Sequence, residues 1–379
     1  MKKVLSMAVA AALAVPAIAM ADSTIYGKVR VSEDKTSVDA KATEVSTGIS
    51  GSGTGDSWGT NDHSSRVGIK GSEDLGNGLS AIYQMEFGVK VGESFSSMSG
   101  RNAFVGLAGD FGTFLVGRHD TPLKISTGKL DLFADTAGDS NYYGLTSDLR
   151  VDGAIAYVSP SFNGLTLAGA VVSHPVGTED FMDAISLAGM YSNGPIYASL
   201  AYESHQSSDD ANLNAALGTA TTPYWSIASV LGDSGNDSQI RVGLGLMDWN
   251  NFTVTLVYEK RNGIGMVDGP GSADDDDGWD SDAYVLSGAF KFTPNDQIKA
   301  MYGNLSAEDA NSGAIEEIDL DQWAIGYQHD LSNRTDVQVV YTAVDADNTD
   351  TLVDVNGTPV LFDLNAQTDV FSIQLNHKF

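Results

Sequence analysis

The chain of 379 residues has no cysteine, only nine prolines and 21 basic side chains against 50 acidic ones. Each shortage excludes something. Without cysteine no disulfide holds the fold, so stability comes from another source than cross-links. A formal net charge of −29 repels phosphates and argues against nucleic acid as a partner. Past the first 21 residues, no stretch approaches the ~18 consecutive apolar residues of a spanning helix. Scarce proline beside 41 glycines suits many strands joined by turns better than it suits disorder.

The first residues are of another kind. Met1-Lys2-Lys3 is a short basic region, followed by VLSMAVAAALAVPAIAM with Pro16 inside it. Ala19-Met20-Ala21 has the small-x-small pattern of a leader-peptidase site. This predicts a secretory signal over 1–21 and one domain over 22–379; Pro16 and the polar DSTIYG that follows speak against a retained anchor. Without Lys2 and Lys3, 19 basic residues face 50 acidic ones, a net charge of −31.

Alternation with a period of two fills the rest. In PIYASLAYES, Ile196, Ala198, Leu200 and Tyr202 alternate with Tyr197, Ser199, Ala201 and Glu203. The chain ends the same way: Phe371, Ile373, Leu375 and Phe379 share one parity, and Ser372, Gln374, Asn376 and Lys378 the other. Sixteen such segments start near Thr24, Ser65, Leu79, Asn102, Thr113, Arg150, Leu165, Ala184, Ile196, Gln239, Phe252, Ala283, Ile298, Gln322, Asp336 and Val370. Short turns such as SPSFNG (159–164) and YSNGP (191–195) alternate with polar insertions at 34–63, 205–238, 262–281 and 344–368. PYWSIASV near 221–230 reads as either a loop or a further strand.

Two architectures use such strands. A soluble β-sandwich turns its apolar face inward; a transmembrane barrel turns it to lipid and lines a lumen with the polar face. Gln84, Glu86, Glu203, Glu259 and Gln338 sit where a sandwich core rejects them, and aromatic residues mark strand ends as interfacial girdles do. A closed barrel has no free edge, which accounts for a strand that runs to the last residue. The reading is all-β: a 16-stranded antiparallel transmembrane barrel.

DSTIYGKVRV (22–31), SSRVGIKGSEDLGNGLSAIYQMEFG (64–88), RNAFVGLAGDFGTFLVGRHDTPLK (101–124) and the closing NHKF resemble the Gram-negative general porins, in particular the proteobacterial group ending in His-Lys/Arg-Phe. The resemblance implies an outer-membrane barrel, usually a homotrimer, whose terminal aromatic, here Phe379, is the assembly signal read by the barrel-assembly machinery. It also implies a third external loop folded into the lumen as a constriction, at about 119–146, matching HDTPLKISTGKLDLFADTAGDSNYYG (119–144). By matching motifs, the basic wall of that constriction is Lys28, Arg66, Arg118 and Arg150, and the facing acids on the loop are among Asp131, Asp135 and Asp139. The Pro-Glu-Phe-Gly core of the enterobacterial loop is absent here, which leaves open which aspartates face the gap. The first strands are the implied trimer contact, with 34–63 as a latch.

Other constellations carry less. Gly232-Asp-Ser-Gly235 lies in a polar insertion with no His/Asp framework, and GISGSGTGDSWG (48–59) follows no parallel βα unit, so neither a protease nor a phosphate cradle is expected. ADDDDGWDSD (273–282) fails the EF-hand spacing; Asp274–Asp277 form an acidic patch that is a candidate bridge to lipopolysaccharide through divalent ions. Six scattered histidines point to no shared metal site, and no cofactor or catalytic residue is expected. The expected function is a general-diffusion channel for small hydrophilic solutes and ions with a weak cation preference. The rivals are a channel specific for an oligosaccharide or an organic acid, and a secreted β-sandwich binding protein.

Overall fold

The computed structural model describes residues 23–44, 50–92, 98–172, 182, 184–205, 237–265, 278–309, 317–355 and 358–379. The expected leader (1–21), PYWSIASV, Gly232–Gly235 and Asp274–Asp277 lie outside the described residues. Seventeen strands form one antiparallel sheet: β1 Thr24–Glu44, β2 Ser50–Asp62, β3 Arg66–Gly76, β4 Leu79–Gly88, β5 Ser99–Gly109, β6 Gly112–Asp120, β7 Arg150–Val158, β8 Leu165–Val172 and β9 Ala184–Asn193 make the first part. β10 Ile196–His205, β11 Asp237–Trp249, β12 Phe252–Gly265, β13 Gly278–Lys291, β14 Asp296–Asp309, β15 Glu317–Ser332, β16 Thr335–Val355 and β17 Thr358–Lys378 complete it. The lower end of β1 pairs with β3 (Lys28 opposite Arg66) and its upper part with β2 (Val31 opposite Asp62), so β2 and β3 occupy one position. The wall is therefore sixteen strands around, and it closes where β1 pairs β17, from Lys28–Lys378 to Glu44–Phe362.

Exposure along the strands decides between the two architectures. Leu200 is 59% exposed and Leu375 54%, whereas their neighbours Glu203 and Gln374 are 1% and 0% exposed. Apolar side chains point out and polar ones in, which suits lipid outside and excludes a sandwich. The chain's end sits on the seam: Gly27 and Phe379 exchange backbone hydrogen bonds at 3.1 Å in both directions. The Phe379 ring covers Gly27, where a Cβ would collide with the ring and come within 2.7 Å of the Arg66 carbonyl oxygen. Several hairpins turn on residues with positive φ at both central positions, such as Asn77–Gly78 and Asn163–Gly164, the backbone that matches strand twist.

The strand starts follow the sequence closely, but two insertions do not behave as loops. Much of 34–63 and 344–368 continues as strand, because β1, β16 and β17 each run for 21 residues and β2 pairs with β1. The backbone ladder continues there, from β2 across β1 to β17 and β16. The wall is low at β6 to β8, with strands of 9, 9 and 8 residues.

Candidate functional site: a loop against one side of the lumen

After β6 the chain leaves the wall. Thr121 caps a six-residue helix, α1 Pro122–Thr127, by accepting from the Lys124 amide, and Pro122 opens it. The segment from Thr121 to Leu149 then runs along the lumenal parity of the strands from β10 round to β17 and β1. Wall glycines make its sockets. A Cβ at Gly303 would lie 2.6 Å from Leu145 Cδ1, at Gly245 2.8 Å from Leu130 Cδ2 and at Gly326 3.0 Å from Phe133 Cε1. Leu130, Phe133 and Leu145 are fully buried there with Val285, Met301, Leu305, Leu320, Val340 and Val344 of β13 to β16. Burial of each such side chain contributes roughly 1.5–3 kcal/mol.

Hydrogen bonds from the wall fix the loop backbone. Thr255 Oγ1 donates to Leu130 O at 2.8 Å, Lys299 Nζ to Leu132 O at 2.9 Å and Gln322 Nε2 to Gly138 O at 3.1 Å. The returning limb meets a buried ion network. Arg241, 0% exposed, pairs with Glu259 and donates to Thr127 Oγ1 (3.0 Å), Asp148 Oδ1 (2.7 Å) and Ser147 O (2.7 Å). Arg261 pairs with the same Glu259 at 2.6 Å and donates to Gly144 O at 2.9 Å. Two arginines thus meet two acids, Glu259 and Asp148, as buried charges must.

The opposite side of the lumen carries ion pairs beside a smaller apolar cluster of Ile82, Phe104 and Leu115. Arg66 stands 3.3 Å from Asp135 of the loop. Arg118 instead pairs with Asp152 at 2.8 Å, Arg150 with Asp120 at 2.8 Å, and Lys28 makes no ion pair among the described residues. Asp131 and Asp139 do not reach the wall arginines. Asp131 accepts from the Phe133 amide at 2.8 Å, and Asp139 from the amides of Asp135 (2.7 Å) and Asn141 (2.9 Å), so both shape loop turns. Burial, then the neighbouring Asp135 and Asp148, push the Asp139 carboxyl up to about 6, and burial with Asp139 nearby raises Asp131. Burial also acts to raise Asp135, but Arg30 and Arg66 beside it hold it below the usual carboxylate range.

Sequence reading missed Arg30, whose Nη1 lies 3.0 Å from Asp135 Oδ2, and the pair Arg101–Glu86 at 2.6 Å. Parity was the available signal for Arg30, which shares the lumenal face with Lys28 two residues before it. Asp120, which takes Arg150, lies on β6 itself rather than on the loop.

A profile described as Gram-negative porin matches residues 8–349. The chain belongs to the Gram-negative porin family. It is 31% identical over 281 residues to the major outer membrane protein P.IB of Neisseria meningitidis serogroup A, covering 68% of this chain and 81% of that one. A serogroup B form of the same protein is 37% identical over 173 residues, 44% of this porin and 48% of the relative. Two solved structures share the fold. One is an anion-selective porin from Comamonas acidovorans, at 19% identity over 95% of this chain and 100% of that chain, with a TM-score of 0.64. The other is the trimer form of OmpT of Vibrio cholerae, at 16% identity over 94% and 99%, with a TM-score of 0.59. This porin is an outer-membrane β-barrel of a channel-forming family.

Proposed function

We propose that this porin is a general-diffusion channel for small hydrophilic solutes and ions, passive and without a chemical step. One observation carries the reading: the loop leaves the charged side of the lumen free of its apolar contacts. There Arg66, Arg101, Arg118 and Arg150 stand beside Asp135, Glu86, Asp152 and Asp120. Opposed charges bordering a water-filled passage hold hydrated, dipolar solutes and disfavour apolar ones. Because these arginines are paired, the acidic excess of the whole chain favours cations weakly at the mouth.

The working form is a homotrimer. Its first strands make the subunit contact, and the β1–β2 hairpin is the latch. Residues 1–21 direct export, Phe379 is the signal for the barrel-assembly machinery, and Asp274–Asp277 meet lipopolysaccharide through divalent ions. The test is reconstitution in a planar bilayer under a salt gradient. Conductance steps in threes and a reversal potential of cation sign are expected. Folded protein that gives no steps overturns the channel, and saturable block by one sugar or organic acid replaces general diffusion with a specific channel.

A further inference from the structure

The barrel closes on polar side chains. In the β1–β17 pairing Ser32 stands opposite Gln374 and Asp34 opposite Ser372, so four lumenal side chains form one patch across the seam. All four are buried: Ser372 and Gln374 are 0% exposed, Ser32 2% and Asp34 4%. One side of the Asp34 carboxylate is served. Asn61 Nδ2 donates to Oδ2 at 2.8 Å, and His63 Nε2, 2.9 Å from Ser32 Oγ, lies 3.4 Å from the same oxygen. The Gln374 amide is oriented by two acceptors, because its Nε2 donates to Asn376 Oδ1 at 2.7 Å and to Asp135 O at 3.1 Å.

The remaining atoms of the patch are oxygens. Asp34 Oδ1, Ser372 Oγ and Gln374 Oε1 are buried and have no hydrogen-bond partner among the described residues. Buried polar atoms are almost always paired with protein, ordered water or an ion. A water supplies hydrogen bonds but leaves the charge, and a buried carboxylate needs an opposite charge beside it. Among the described residues no lysine or arginine pairs with Asp34; its ion partner is His63, charged only when protonated. Carboxylate, amide and hydroxyl oxygens are ligands of hard cations. One carboxylate neutralises one positive charge, whereas a divalent ion in this patch keeps half of its charge uncompensated. We propose that the seam holds a monovalent alkali cation between Asp34, Ser372 and Gln374, bridging β1 to β17 where the barrel closes. Because it joins the first and last strands of the chain, this cation stabilises closure of the wall rather than conduction.

The test is thermal unfolding of the full-length porin in detergent with EDTA, at constant ionic strength, with sodium chloride exchanged for N-methylglucamine chloride. That organic cation is too large for the patch. A ligand that binds only the folded state raises the midpoint with its concentration, so the midpoint climbs by a few degrees as sodium replaces it. Asp34→Asn keeps the shape and loses the charge, and its midpoint is the same in both salts. Where that variant does not assemble, Ser372→Ala decides; it removes one ligand and flattens the rise. Crystals soaked in thallium(I), a monovalent cation with strong anomalous scattering, show a peak within coordinating distance of Asp34 Oδ1. A parental midpoint that ignores sodium overturns the proposal, as does a full rise in the deciding variant. Ordered water alone at the patch in the thallium crystals overturns it as well.

Discussion

The two sides of the lumen differ in the balance of their chemistry. From β13 to β16 the inward positions include Val285, Met301, Leu305, Leu320, Val340 and Val344, packed against Leu130, Phe133 and Leu145 beside the polar Lys299, Gln322 and Thr342. Along β3 to β7 they include Arg66, Glu86, Arg101 and Arg150, held in ion pairs. A barrel whose outside is apolar has no core of its own, since lipid replaces it. This one makes a core inside the lumen, with a loop as the missing layer, and leaves the other side wet.

The comparison is broken most severely by removing the ring at its middle. Phe133→Ala deletes a fully buried side chain, a loss on the order of 3–5 kcal/mol in loop packing, and lowers single-channel conductance as the loop leaves its sockets toward the passage. Arg241→Met takes from Glu259 and Asp148 their shared arginine and leaves Glu259 only Arg261 as ion partner; about 3 kcal/mol is lost, read as a lower heat-unfolding temperature. Gly326→Val fills the Phe133 socket, costing about 1–3 kcal/mol, with a smaller fall in conductance than Phe133→Ala.

Acid sharpens the contrast by the smallest amount. The folded Asp139 carboxyl, raised to about 6, binds a proton that the unfolded chain has already released between the ordinary carboxylate range and that value. Loop packing therefore gains stability as pH falls through about 6 and loses it as pH rises through the same window. Asp135, held low by Arg30 and Arg66, stays charged throughout. Single-channel closures in the bilayer are fewer at pH 5 than at pH 7, and Asp139→Asn removes that difference.

Most of the wall was legible because period-two alternation survives in lipid as in water, with only the faces exchanged. The tall strands were not: β2 is built mostly of Gly, Ser, Thr and Asp, and the later part of β16 is rich in Asp and Thr, which read as loop when strand is inferred from apolar residues. At the site, Arg66 stood among four expected wall bases and Asp135 among three expected loop acids; the two lie 3.3 Å apart, whereas Asp131 and Asp139 serve the loop's own turns. The apolar side of the lumen had a signal that went unused. In DAYVLSGAF both parities are apolar near Ala283–Leu286, and an inward Val285 needs a covering partner that strand periodicity does not name.

The absence of cysteine allows the central claim, that the passage follows the charged side, to be tested directly. Gln84→Cys places a thiol on the lumenal face of β4, and Met301→Cys places one beneath the loop on β14, where Met301 is 4% exposed. A charged, water-soluble thiol reagent is added while single-channel current is recorded. The account predicts rapid modification and reduced current for Gln84→Cys and no change for Met301→Cys. Modification and block of Met301→Cys at a comparable rate would show an open lumen on that side and contradict it.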